Sequence, residues 1–522
     1  MDEGNKMNIL DDLVNSGYLI SGGVFGGNVE GVDDLIGNKI SPDEILLLSI
    51  ISYRENEGRK LVNWVFNNIC ENKKQRHKLK HGGYVSVTAR SERLVLWKHI
   101  LSKRLQIGGV KEYKNALNNV CKALIASNDH YPRRFKFESE FSGISFAQYR
   151  DNFFMQFYRS SMIFISSNSL NTCKDEFQRV NGISLRDYIY HVFIIVNRYQ
   201  RFDDIDYFKP YYLPKWMLGS DDPIFQGLDY EKIKIVLDLI SKRQSSFYKE
   251  MLNDKNVYKN FNVFKNHPFL RVNDKMIIPL DGKFAEDLLF NNLYYKIESL
   301  PSREKFITEF GIAFESYVSN LVEKACSYRN EYNFIPEFTY QKGTKKSPDA
   351  MIYHHENNTM LVIECKSSRV LNAMLDKDDG NVSFDRNVEK LRIKPWKQMH
   401  ASISNIIKAE YDPAFSEKTM YVFLCVTMNN IPFYPVEMKI EQQGRRIDKY
   451  FFTMSIEEFE IFMEVLSSES KFTFYEILLG YRTHQNSMSM KTYLNRIREN
   501  EKLFNEKYSA YISSSLKAVW EA

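Results

Sequence analysis

Apolar residues recur at spacings of three or four from Glu304 to Cys326, at Ile307, Phe310, Phe314, Val318, Leu321 and Ala325. That period predicts a helix with one buried face. Ser302 is in place to cap it, with Glu304 in the first turn. Further on the pattern changes. Ala350-Met351-Ile352-Tyr353 and Met360-Leu361-Val362-Ile363 are short apolar runs around a polar stretch from His354 to Asn358. Bulky and β-branched residues on both sides of Glu356-Asn357-Asn358 predict a β-hairpin. A basic segment from Arg386 to Lys408 then reads as a helix interrupted by Pro395, and Tyr421 to Thr427 reads as another buried strand. The order is helix, hairpin, helix, strand, an α/β module.

The pattern before residue 300 is different. Ile45–Ile69, Arg93–Leu105, Tyr113–Ala126, Ser184–Tyr199 and Tyr230–Leu252 show helical periodicity, without internal repeats or low-complexity tracts. Phe269 to Pro279, with Asn273-Asp274 at its centre, predicts a second hairpin, placed at the joint between the helical region and the α/β module. Ser455-Ile456-Glu457-Glu458 is a capping box that opens a helix through Leu466, and a helical, charge-mixed tail runs from there to Ala522. The expected division is a mainly helical region over 1–300, the α/β module over 301–440, and an extension over 441–522 packed on it.

A chain of 522 residues exceeds one core and calls for two or three domains. Its 43% hydrophobic and 26% charged residues are ordinary for a globular protein. A formal charge of +5 permits nucleic-acid binding without arguing for it. The six cysteines form no CxxC pair, which points to reduced thiols and against a zinc site. No apolar run has transmembrane length and the first residues lack a signal-peptide core, so the expected place is the cytoplasm, away from membranes. Gly22 to Gly27 lacks the lysine and spacing of a phosphate-binding loop and reads as a turn. Lys73 to Lys80 is the densest basic run; it suits either an exposed loop, the preferred reading, or a track for a nucleic-acid backbone.

The chemistry gathers at the hairpin. Ser347-Pro348-Asp349 precedes its first strand, and Glu364-Cys365-Lys366 ends its second. Alternation along a strand sends Glu364 and Lys366 to one face, with Val362, and sends Ile363 and Cys365 to the other. An acid and an ammonium at the end of so apolar a strand destabilise it unless they are used. Two carboxylates and a lysine at one sheet end can hold a hard divalent cation and position a water for attack on a phosphodiester.

In these residues the chain resembles the PD-(D/E)xK nuclease superfamily, with Pro348-Asp349 as the PD and Glu364-Cys365-Lys366 as the ExK. The resemblance covers about residues 301–440 and implies a restriction-endonuclease-like α/β fold with an αβββαβ core. It implies Mg²⁺, with Mn²⁺ as a substitute, held by Asp349, Glu364 and the backbone carbonyl of Cys365. Lys366 would orient or activate the attacking water. Gly311 to Val318 looks like the superfamily's first helix, which assigns Glu315 to the metal, directly or through water; an ordinary surface glutamate is the alternative. Gln398 matches a glutamine that several members carry on the helix after the ExK strand. The tyrosine that completes that pattern is replaced by Ser402, so a solvated helix position remains open for Gln398.

The implied activity is metal-dependent endonucleolytic hydrolysis of DNA. The preceding helical region would select the target or respond to a regulatory partner, and double-strand cleavage would call for a homodimer or larger assembly. A large helical partner on such a nuclease resembles prokaryotic phage-defence and restriction effectors. The alternatives are a nuclease acting on RNA or on DNA junctions, and a nucleic-acid-binding or scaffold protein whose nuclease fold no longer cuts.

Overall fold

The computed structural model describes residues 20, 31–36, 39–54, 58–81, 86–103, 106–107, 112–128, 150–201, 213–252, 261–367, 382–429, 441–442, 445–446, 450–469, 472–485 and 488–521. Gly22 to Gly27 lies outside them. Two compact units emerge. One takes in the described residues of 1–157 and 177–296; the other takes in 158–176 and the described residues from 297 onward.

The first unit is mainly helical. Its helix Pro42–Tyr53 starts from a reciprocal box between Ser41 and Glu44 and is buried over most of its circumference. Inside this unit the Arg90 guanidinium grips the buried Asp281 with two hydrogen bonds of 2.8 and 2.6 Å. The expected hairpin is present as Phe269–Arg271 paired antiparallel with Met276–Pro279. Three expectations fail. The stretch Ile45–Ile69 divides into two helices, Pro42–Tyr53 and Gly58–Asn68. The helix from Tyr230 stops at Ile240, because Ser241–Arg243 turns extended and pairs in parallel with Phe269–Arg271. Lys73–His81 is a helix rather than a loop: Asn72 Oδ1 accepts from Gln75 N–H while Gln75 Oε1 accepts from Asn72 N–H, a cap at each other's backbone.

The second unit is built on a five-stranded sheet. Helix α1 (Arg303–Cys326) leads into β1 (Tyr332–Pro336), a small hairpin of β2 (Thr339–Tyr340) and β3 (Lys345–Lys346), then β4 (Ala350–His354) and β5 (Thr359–Lys366). Helix Val382–Val388 runs on through a π-helical turn, Glu389–Ile393, into α2 (Lys394–Lys408), so Pro395 does not end the helix but sits just after that turn, where the backbone bonding is already irregular. Then follow β6 (Met420–Thr427), β7 (Phe451–Ser455) and α3 (Ile456–Ser467), the last opened by the Ser455–Glu458 capping box. The sheet order is β7-β6-β5-β4-β1; β1, β4 and β5 run antiparallel in turn, and β5, β6 and β7 run parallel. The β4–β5 turn is closed by Asn358 in a left-handed conformation (φ 48°) and by Asn357 N–H donating to His354 Nδ1.

One sheet face, with Met351, Met360, Val362 and Cys425, packs on Trp396, Met399, Ile403 and Ile406 of α2. The other meets α1. The buried stripe of α1 holds five of the six expected residues, Phe310, Phe314, Val318, Leu321 and Ala325, and adds Phe306, Ala313 and Tyr317; only Ile307, 40% exposed, falls outside it. Ser302 does not cap α1. Its backbone is near helical (φ −79°, ψ 23°) rather than extended, so its hydroxyl cannot reach the first-turn donors.

Segment 158–176 completes this unit. Arg159, fully buried, holds Glu460 of α3 with two hydrogen bonds of 2.8 and 2.7 Å, and Tyr317 of α1 donates to the same carboxylate at 2.7 Å. Trp520 Nε1 donates to Ser161 Oγ, and Phe164 lies against Phe310.

Candidate active site

The side chains singled out in the sequence meet at one end of β4 and β5. Ala350 pairs with Ile363, so Asp349 stands one step beyond the ladder, opposite Glu364. Its Oδ2 accepts from the Cys365 N–H at 2.6 Å, which ties the residue before β4 to the last turn of the pleat on β5. Glu364, 3% exposed, shares the sheet face of Val362. Lys366 Nζ donates to Glu364 Oε1 at 2.8 Å and to Gln398 Oε1 of α2 at 3.2 Å. Gln398 thus reaches the lysine, although its own position on α2 is exposed. Cys365 lies between them with its thiol buried on the other face, where burial pushes its pKa well up.

Glu315 approaches from α1. That helix passes close to the end of β5, with room for only van der Waals contact between a Cβ at Gly311 and Ser367 Oγ (3.6 Å). Glu315 is exposed on α1; its carboxyl is nevertheless pushed up to about 7, first by partial desolvation and then by the charges of Asp349 and Glu337. Glu364 is pushed up to about 7 by burial and by Asp349, against the pull of Lys366. Asp349 is raised by burial, which the Cys365 N–H and Lys366 only partly offset. Burial pulls Lys366 down, but Glu364 overcomes it and raises the lysine above its ordinary value. The physical content is simple: carboxylates crowd a site that lacks enough positive charge to keep all of them ionised.

Glu337 was not singled out in the sequence. Met351 pairs with Ile335 and Ala350 with Pro336, so the residue after β1 falls opposite Asp349. Glu337, Asp349 and Glu364 therefore form a row across three neighbouring strands. The only available signal was its place at the end of a strand whose partner carries Asp349, and pairing of β1 with β4 is not readable from local pattern.

As a donor set, these carboxylate oxygens and the Cys365 carbonyl suit a hard divalent cation such as Mg²⁺. Among the described residues no group of three or more His, Cys, Asp and Glu side chains is already spaced to hold a metal ion. Asp349 and Glu364 each direct one oxygen elsewhere, to Cys365 N–H and to Lys366. Comparison of the chain with known protein families, curated proteins and solved structures finds no match in any of the three. Among the described residues no helix is long and apolar enough to cross a membrane.

Proposed function

We propose that this chain is a metal-dependent nuclease of the PD-(D/E)xK superfamily that hydrolyses phosphodiester bonds in DNA. The observation that carries this reading is that Asp349, held by the Cys365 N–H, stands opposite Glu364 at one sheet end, with Glu364 bonded to Lys366 and both acids desolvated. The helix–strand–strand–strand–helix–strand order of the second unit supports a restriction-endonuclease-like fold.

Mg²⁺ or Mn²⁺ held by Asp349, Glu364 and the Cys365 carbonyl, with Glu315 behind a water, would supply charge neutralisation at the scissile phosphate. Lys366 is an ammonium at neutral pH, since Glu364 holds its proton, so it orients water and neutralises charge rather than taking a proton. Gln398 fixes the direction of that ammonium. Water adds to phosphorus as the bond to the 3′ oxygen breaks, leaving a 5′-phosphate and a 3′-hydroxyl. A cytoplasmic role in phage defence or restriction, with a homodimer for double-strand cuts, extends this reading.

The test is incubation of the purified protein with plasmid, linear DNA and RNA in Mg²⁺, Mn²⁺ or EDTA. DNA cleavage that requires the cation and disappears in Asp349→Ala is the expected result. Cleavage of nothing under every condition, or equal cleavage by Asp349→Ala, would overturn the proposal.

A further inference from the structure

Between β1 and β4 the chain makes a detour that the five-stranded sheet does not require. Strands β2 and β3 pair antiparallel, Thr339 with Lys346 and Tyr340 with Lys345. The base is firmly seated. Tyr340 is buried, Phe338 stacks on Tyr411 at 4.2 Å and 8°, and the Phe338 and Ser347 backbones are joined by a 2.8 Å hydrogen bond. The tip turns through Gln341, Lys342 and Gly343, all left-handed (φ 48°, 58° and 81°). Two non-glycine residues there oppose the usual preference by roughly 1–2 kcal/mol each, so the turn is held rather than relaxed. From Gln341 to Lys346 every residue is exposed, and the stretch carries Lys342, Lys345 and Lys346 with no acid.

The last of these lysines faces the carboxylate row. Lys346 Nζ lies 3.0 Å from Glu337 Oε2, with the two side chains 68% and 37% exposed. Glu337 stands opposite Asp349, so this ion pair is at the rim of the candidate active site. Its proton is held by Glu337, with smaller pulls from Glu315 and Asp349. An exposed pair of this kind is worth only about 0–1 kcal/mol, so exchanging Glu337 for another anion is nearly free of penalty. A polyanion approaching a row of acids needs such a cation first.

We propose that the β2–β3 hairpin is the backbone clamp of the enzyme: Lys342 at its tip and Lys345 and Lys346 on opposite faces of the ribbon grip phosphates of a nucleic acid, with Lys346 passing from Glu337 to the phosphate nearest the carboxylate row. This inference rests on the nuclease reading of the same site. These lysines are positioning residues. They set where the strand lies and take no part in bond breaking.

Binding is measured by titrating a fluorescent DNA duplex, a single strand and an RNA of equal length against full-length Asp349→Asn protein with Mg²⁺, over a range of salt. Each lost phosphate contact lowers the salt slope by about one. Changing all three lysines to Gln should reduce it by about two to three and weaken binding about tenfold or more at ~0.1 M salt. In otherwise native protein the same change should raise KM with kcat altered less than about threefold, and Lys346→Arg alone should keep KM near the native value. Lys408, ten residues beyond Gln398 on α2 and so about 15 Å away, serves as the control; Lys408→Gln should change nothing. Native protein that binds and cuts while the triple variant keeps the same slope and KM overturns the clamp alone. Equal loss from Lys408→Gln does so too. Absence of binding to every nucleic acid in every metal condition overturns the nuclease reading along with it.

Discussion

Glu364→Gln should make the protein more stable while abolishing its proposed activity. Glu364 is 3% exposed, and its carboxyl is pushed from the ordinary 4.5 up to about 7. The unfolded chain releases that proton near pH 4.5, whereas the folded chain keeps it until about 7. Below the lower value both states are protonated and the native stability is intact. Stability is lost as pH rises through the window, and above the upper value the ionised group weighs against the fold by about 3 kcal/mol. Glutamine keeps the shape and does not ionise. Lys366 loses its counter-ion but can donate to the new amide carbonyl and still to Gln398. A net gain of about 1–3 kcal/mol at pH 8 follows, which for a unit of this size is roughly 3–10 °C in the melting transition. Calorimetry of full-length protein at pH 8 and pH 5 in EDTA measures it. A transition unmoved or lowered at pH 8, or raised equally at pH 5, would refute the reasoning.

Three further outcomes are expected. Asp349→Ala leaves the Cys365 N–H without its 2.6 Å acceptor and should destabilise by about 1–3 kcal/mol, whereas Asp349→Asn keeps an acceptor and should melt near wild type; neither should nick plasmid. With Glu315 and Glu364 both pushed up to about 7, protons compete with the cation below that pH. Cleavage should therefore rise with pH between about 6 and 8 and the Mg²⁺ requirement should fall, and Glu315→Gln should flatten the rise and raise the requirement without eliminating activity, as pH–rate profiles at several Mg²⁺ concentrations will show. Arg159→Ala should cost about 3–5 kcal/mol, because Glu460 is left buried without its bidentate partner. A melting curve that matches wild type would show that segment 158–176 is dispensable to the second unit.

Much of the candidate site could be read from the sequence because it is local. Asp349 and Glu364 flank one hairpin, and a two-residue period alone places Lys366 beside Glu364, where the 2.8 Å hydrogen bond is found. Gln398 and Glu315 lie on helices, and only a resemblance assigned them; the structure brings Gln398 to the lysine and sets Glu315 within electrostatic reach of Asp349. Glu337 escaped because its place depends on the pairing of β1 with β4, across the β2–β3 detour. Capping was misread in both directions. Ser302 has the right chemistry but the wrong backbone, while Asn72 and Gln75 start a helix inside what looked like a solvated basic loop.

The least legible feature is the membership of segment 158–176 in the second unit. Phe153 to Ile165 reads as one apolar-rich helical stretch, and nothing in its period distinguishes Arg159 from a surface arginine. Only the partner reveals it. Glu460 sits in α3, 301 residues away, and is flanked by Phe459 and Phe462, so an acid there must find a cation or lose its charge. A cut placed by sequence pattern near residue 300 would remove that cation while leaving the acid, on which the Tyr317 hydroxyl would remain. Because α1 carries both Tyr317 and Glu315, any rearrangement that relieves Glu460 acts on the helix that brings Glu315 toward Asp349. Segment 158–176 therefore bears on the candidate site through α1, although none of its residues is among the side chains assigned to it.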